Sequence, residues 1–232
     1  MAKDKNLLDG VVKFISAEGF VDALQERLLA HVQSTCTARN LAVGDLPRLL
    51  DQQVYALMFT CVVEDLMGRT LAEGRNLTDA YLKRHGWKLG ALARRQLEAV
   101  RDSRIGLYEI DAVSVGVGLT LRDLLPPGEK VGVEAVALSR ALPVGCALAA
   151  RVLRVDGTVS LAGGLLPFDE GMSAEAAEAV AGAADRTEGI TAFWLEKTLA
   201  ENFGAREAAP EALPVEPGAD QSPEPERLDS AQ

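Results

Sequence analysis

Apolar residues recur through the first hundred positions at the spacing of a helix. In 17–36, Phe20, Ala23, Leu24, Leu28 and Val32 share one face, widened by Val21 and Leu29. His31 lies beside that stripe with no partner at metal-ligand spacing, and reads as a surface or boundary residue. A second helix is expected from Asp45, with Pro47 in its first turn, to about Met67. Leu49, Leu50, Val54, Leu57, Met58, Cys61, Val62 and Leu66 make it apolar around most of its circumference, which predicts a central position. The adjacent Glu64 and Asp65 point about 100° apart on such a helix and are not expected to converge. A short helix should start at Thr78 or Asp79 and close at Gly86. Another follows over 89–103, with Leu89, Leu92, Leu97 and Val100 on its buried side.

At Ile105 the period changes to two. Leu107, Glu109 and Asp111 alternate with Tyr108, Ile110 and Ala112, and Val115, Val117, Leu119 and Leu121 give a second such run. The segment Arg122, Asp123, Leu124, Leu125 is read as a helical turn before the Pro126-Pro127-Gly128 turn. Strands are expected over 130–138 and 147–155, the latter apolar on both sides. Asp156-Gly157 is a hairpin turn of the I′ kind, Thr158 to Leu161 pairs back, and Gly163-Gly164 releases the chain. Helical patterns return at Ser173 and Thr187, the last ending at Gly204. These readings predict an α+β fold. It has a helical region over 1–104, a small antiparallel β-barrel or bent sheet over 105–168, and C-terminal helices over 169–204. A disordered, acidic, Pro-rich tail fills 205–232.

Composition supports a large core, with 48 % of the 232 residues apolar and only 5 % aromatic. Net charge is −10, which disfavours a general nucleic-acid or anionic-membrane binder, but the charge is unevenly spread. The segment 205–232 carries seven acidic and two basic residues, and five of the ten prolines. The opposite bias lies just before the strands. Lys83, Arg84, Lys88, Arg94, Arg95, Arg101 and Arg104 face only Glu98 and Asp102. No signal peptide or membrane span is recognisable, which suggests a cytoplasmic protein.

Candidate chemistry is sparse. Phosphate-binding, nucleophile-elbow and zinc-protease motifs are all missing. Cys36, Cys61 and Cys146 are far apart and read as buried small hydrophobes. With only His31 and His85 present, a Cys–His or Ser–His–Asp site is hard to assemble, although a His85–Cys146 pairing is conceivable. No metal and no cofactor is called for, and no catalytic residue is assigned. The remaining constellation is polar: Glu109 and Asp111 share a strand face near which Arg122, Arg140 or Arg151 can lie. Such a cluster makes an ion-pair network, the wet face of a sheet, or a ligand pocket.

The runs RRQLEAVRDSRIGLYEIDAVSVGVGLTLRDLL and EAVALSRALPVGCALAARVLRVDGTVSLAGGLLPF resemble a group of uncharacterised bacterial proteins. Ser103, Leu107 to Ile110, Gly118 to Leu125, Gly128, Glu129, Ser139, Arg140, Leu142, Gly145 and Leu148 to Val152 carry the resemblance, within roughly residues 70–170. Some members of that group bear a C-terminal SEC-C zinc motif. No cysteine follows Cys146 here, so zinc binding does not carry over.

Three readings follow. The first is a non-catalytic binding or adaptor protein that meets a protein partner through the β module, at Arg122, Arg140, Arg151, Glu109 and Asp111. The second is nucleic-acid binding through 83–104, with the acidic tail as an electrostatic competitor. The third, ranked last, is an enzyme with a carboxylate–arginine pocket.

Overall fold

The computed structural model describes residues 2–125 and 127–208. The N-terminal helices are α1 (Ala2–Ala17), α2 (Val21–Ala38), α3 (Leu46–Leu49), α4 (Gln52–Gly68), α5 (Leu77–His85) and α6 (Ala91–Asp102). Gly19, at φ +75, takes the left-handed turn that separates α1 from α2. The helix expected over 45–67 is broken. Leu50 is extended (φ −93, ψ 149), and Asp51 restarts the chain by accepting a hydrogen bond from the Gln53 amide at 2.7 Å. The true cap is therefore Asp51 rather than Asp45. Asn76, not Thr78 or Asp79, caps α5, accepting from the Asp79 amide at 3.0 Å.

Six strands follow: β1 (Ile105–Ser114), β2 (Gly118–Leu124), β3 (Pro127–Glu134), β4 (Cys146–Val155), β5 (Thr158–Leu161) and β6 (Leu166–Glu170). β1 pairs with both β2 and β4, β2 pairs with β3, and β4 pairs with β5. A parallel bridge from Glu134 of β3 to Ser160 of β5 closes a five-stranded barrel. Three hairpin-linked strands with the fourth returning beside the first is a Greek key. β6 is the extra strand, pairing with the first half of β4. Arg122 and Asp123 belong to β2 and not to a helical turn. Val115, Gly116 and Val117 form the β1–β2 turn, so the period-2 run expected there begins only at Leu119. The Asp156-Gly157 hairpin is as expected, with both residues at positive φ (51 and 80).

β4 is apolar on both sides because each side meets a core. Leu148 and Ala150 fill the barrel with Ile110, Leu119, Leu121 and Val133. Ala147 and Ala149 point the other way, into a second cluster with Val32 and Cys36 of α2 and Met58 and Cys61 of α4. That cluster is closed by α7 (Ser173–Ala181) and α8 (Arg186–Ala208), through Ala176, Val180, Ile190, Trp194 and Leu199. α8 continues past Gly204, where a stop was expected, to Ala208. The acidic tail beyond lies outside the described residues.

Candidate functional site

The predicted polar residues divide into three places. On the outer barrel wall, Glu109 lies directly across the ladder from Arg122, whose Nη2 donates to Glu109 Oε1 over 2.6 Å. The register shifts between Ile110 and Ala112, so Asp111 occupies a bulge, and its Oδ2 accepts from Lys130 Nζ at 2.7 Å. An open cleft of about 620 Å³ separates this wall from the first turns of α7, lined by Glu109, Arg122, Glu170 and Ser173 among others. Glu109 and Arg122 are already matched to each other within it.

Arg140 stands elsewhere, exposed in the long loop between β3 and β4. Its neighbour Ser139 is buried and acts as a staple. Ser139 Oγ accepts from the Gly116 amide at 3.0 Å and donates to the Val136 carbonyl at 2.9 Å. The Ala135 amide also donates to the Val117 carbonyl at 3.2 Å. The β1–β2 turn is thus held against the β3–β4 loop. Around this junction Val115, Val117 and Val136 are between 49 % and 74 % exposed. These valines make an apolar collar on the two stapled loops beside Arg140, whose Nη2 would lie 3.8 Å from a Cβ at Gly116 and which has no carboxylate partner among the described residues. The sequence reading missed the collar because its first two valines were assigned to a strand.

Arg151 does not join Arg122 and Arg140. It shares the face of Ala147 and Ala149, so it points into the helices and is 1 % exposed. Nη1 donates to the Ser103 carbonyl at 2.9 Å. Nη2 lies 3.6 Å from Asp65 Oδ1, and Nε lies 3.7 Å from Glu64 Oε2. Glu64 and Asp65 do point apart, but one guanidinium spans both. Glu64 Oε1 accepts from the Gly163 and Gly164 amides, each at 2.9 Å, clamping the β5–β6 loop onto α4. Burial pushes the Glu64 carboxyl above its usual range against the pull of Arg151 and the two amides. Burial also acts to raise Asp65, but hydrogen bonds from His31 and Arg69 outweigh it and hold that carboxyl low.

His31, expected at the surface, is fully buried. Its Nε2 lies 3.3 Å from Asp65 Oδ2, and its Nδ1 lies 3.0 Å from Thr191 Oγ1. Arg69 continues the network to Asp185 at 2.6 Å. A charged pair on a helix otherwise apolar around most of its circumference was the available signal for these contacts. His85 and Cys146 do not meet: His85 packs edge-on against Phe14, while Cys146 belongs to the barrel interior.

The basic segment is partly neutralised. Arg84 pairs with Glu18, Arg95 with Asp156, and Arg101 with Asp79 and Asp102. Arg94 folds back onto the Leu89 carbonyl at 3.1 Å. Lys83, Lys88, Arg94 and Arg104 have no carboxylate partner among the described residues. Leu92, expected in the core, is 53 % exposed. Its neighbours Ala91, Arg94 and Arg95 at the start of α6 are exposed too, and the helix buries only Leu97 and Val100. Trp87 is 75 % exposed, with Lys88 Nζ 5.0 Å from its ring centre.

Among the described residues, no group of three or more His, Cys, Asp or Glu is arranged to hold a metal ion. There too, no helix is long and apolar enough to cross a membrane. No curated protein and no solved structure matches the chain. A family of unknown function, DUF7986, matches residues 67–187, from the last turn of α4 through the barrel and α7 to the start of α8. The match covers more than half of the 232 residues, and the chain belongs to that family.

Proposed function

We propose that this protein is a non-catalytic binding or adaptor module whose docking surface is the valine collar around Arg140. The observation that carries this reading is the collar itself. Isolated exposed valines are ordinary, but grouped ones on two loops stapled together by Ser139 form a preorganised apolar patch. The matching partner is a protein segment with aliphatic side chains and a carboxylate for Arg140. In support, the converging titratable groups (Glu64, Asp65, His31 and Arg151) are enclosed and spent on one another. The free, buried cysteines suit a reducing cytoplasm. A photo-cross-linker at position 117 tests the reading. The expected result is a specific protein adduct from cell lysate that disappears with Arg140→Glu. An adduct pattern unchanged by that substitution overturns it.

A second reading, single-stranded nucleic-acid binding, is favoured by one observation: an exposed Trp87 beneath Lys88, beside cations with no carboxylate partner among the described residues. Five-stranded Greek-key barrels elsewhere host oligonucleotides, a likeness of architecture alone. Fluorescence anisotropy with a labelled single strand at about 50 mM salt tests it, binding being expected to weaken as salt rises.

A further inference from the structure

We propose that the collar is covered by residues 211–216 of this same chain. This rests on reading the collar as a docking surface, but not on the existence of a separate partner.

The described residues end on the collar's side of the molecule. α8 leaves the helical core with Trp194 Nε1 donating to the Pro167 carbonyl of β6 at 2.9 Å. Seven residues later, Glu201 lies beside Asp169 of the same strand. α8 therefore runs along β6 in the direction of that strand. Glu170, at the end of β6, pairs with Cys146 at the start of β4, and its Cγ lies close to Gly145, whose amide donates to the Ile110 carbonyl of β1. β6 and β1 are both antiparallel to β4, so α8 heads toward the barrel end where β1 turns into β2. That end carries the collar. Ala208 is a further seven residues along, about 10 Å at 1.5 Å per residue. The chain reappears from α8 on the collar's side of the molecule.

The segment and the collar are also chemically complementary. Beyond Ala208 the large apolar residues are Leu213, Val215 and Leu228. Leu213-Pro214-Val215 is bounded by Glu211 and Glu216, an aliphatic centre between two carboxylates. The collar is the counterpart: aliphatic valines beside one cation, Arg140, without a carboxylate partner among the described residues. Leu213 is five residues past Ala208, about 17 Å of extended chain, so this segment is the first apolar one to arrive. Pro210, Pro214 and Pro217 restrict the backbone and lower the entropy lost on docking. Trp87 and Leu92 are the rival surface. They lie next to α5, whose Arg84 pairs with Glu18 near the start of α2, whereas α8 runs parallel to α2 and leaves from its far end.

The test uses the full chain with a photo-cross-linking residue at position 117. Irradiation is expected to give a monomeric product whose adduct maps to 211–216. Leu213→Asp with Val215→Asp is expected to lower its yield about tenfold, as removal of two buried aliphatic contacts should. Adducts confined to other parts of the chain, or a cross-linked dimer of the same composition, overturn the proposal. The two readings of the collar fail separately. Capture of a partner without any 211–216 adduct removes the tail and leaves the partner. The 211–216 adduct, with no partner captured even by the double variant, removes the partner and leaves the tail.

Discussion

Arg151 Nε lies 3.7 Å from Glu64 Oε2, and neither atom has a hydrogen-bond partner among the described residues. The two charges face each other across the seam between β4 and α4 without a direct hydrogen bond. Removing Arg151 alone is expected to hurt more than removing both charges. Arg151→Met leaves two buried carboxylates without their shared cation and should destabilise by about 3–5 kcal/mol. Glu64→Gln keeps an acceptor for the Gly163 and Gly164 amides and should cost about 1 kcal/mol. The double variant should be more stable than the sum predicts, since the residues share one network. Urea denaturation of the four proteins measures all three quantities.

Acid should weaken the fold through Asp65 and Asp185, both held below their usual value of 3.8. Burial opposes ionisation in each, and hydrogen bonds from Arg69 to both, and from His31 to Asp65, win. A depressed carboxylate contributes stability above the unfolded value and loses it as pH falls through the folded one. The urea midpoint should therefore drop below about pH 4, and Arg69→Gln should flatten that drop.

Glu64 should act with the opposite sign. Its folded value is raised above 4.5 by burial, so its protonated form favours the fold. That contribution is complete below the unfolded value and is lost as pH rises through the folded one. As pH rises from the unfolded value of 4.5, Glu64→Gln should lose less stability than the wild type. Parallel slopes for the two proteins would contradict the assignment.

Three glycine-to-alanine changes should separate cleanly. A Cβ at Gly164 meets Cys61 Sγ at 2.8 Å and its Cα and N at 2.9 Å, and one at Gly118 meets the Val133 carbonyl oxygen at 2.0 Å. Each should cost about 1–3 kcal/mol or more, because backbone atoms must move. Gly132 has nothing within 4 Å of its Cβ, so Gly132→Ala should lie within about 0.5 kcal/mol of the wild type. Thermal midpoints rank the three.

The two tryptophans give an internal control for the exposed surface. Trp87 is 75 % exposed and Trp194 is 4 % exposed. Acrylamide should quench mainly Trp87, and Trp87→Ala should leave stability within about 0.5 kcal/mol. If the segment 83–104 binds single-stranded nucleic acid, the same substitution should lower affinity by about 1–3 kcal/mol per lost stacked base.

Much of the fold was legible in the residues. Asp156-Gly157 fixed a hairpin, and the two-sided apolar character of β4 announced a strand between two cores. The break at Leu50 and Asp51 was hidden because apolar spacing continues across it, and only the Asp51 cap reveals the restart. The Val115–Val117 turn was hidden for a similar reason, since alternating valines look like strand until Gly116 takes φ +79. The sequence grouped Glu109 with Arg122 correctly and placed Arg151 beside them wrongly. Register pairs Arg151 with Ile105, four residues before Glu109, on the part of the same outer face that the helices cover, and no local pattern records that register. His31 read as peripheral because its partners, Asp65 and Thr191, are distant in the chain.

The amide clamp by Glu64 bears on how much of this chain can exist alone. The family match begins at residue 67, whereas His31, Glu64 and Asp65 precede it. A fragment cut at that boundary would keep Arg151 and the Gly163-Gly164 loop while discarding the acids that neutralise the one and anchor the other. It would also bare the helix-facing side of β4. The recognisable unit of ancestry is thus smaller than the unit of folding, and the helices before it are its missing counter-ions as much as its scaffold.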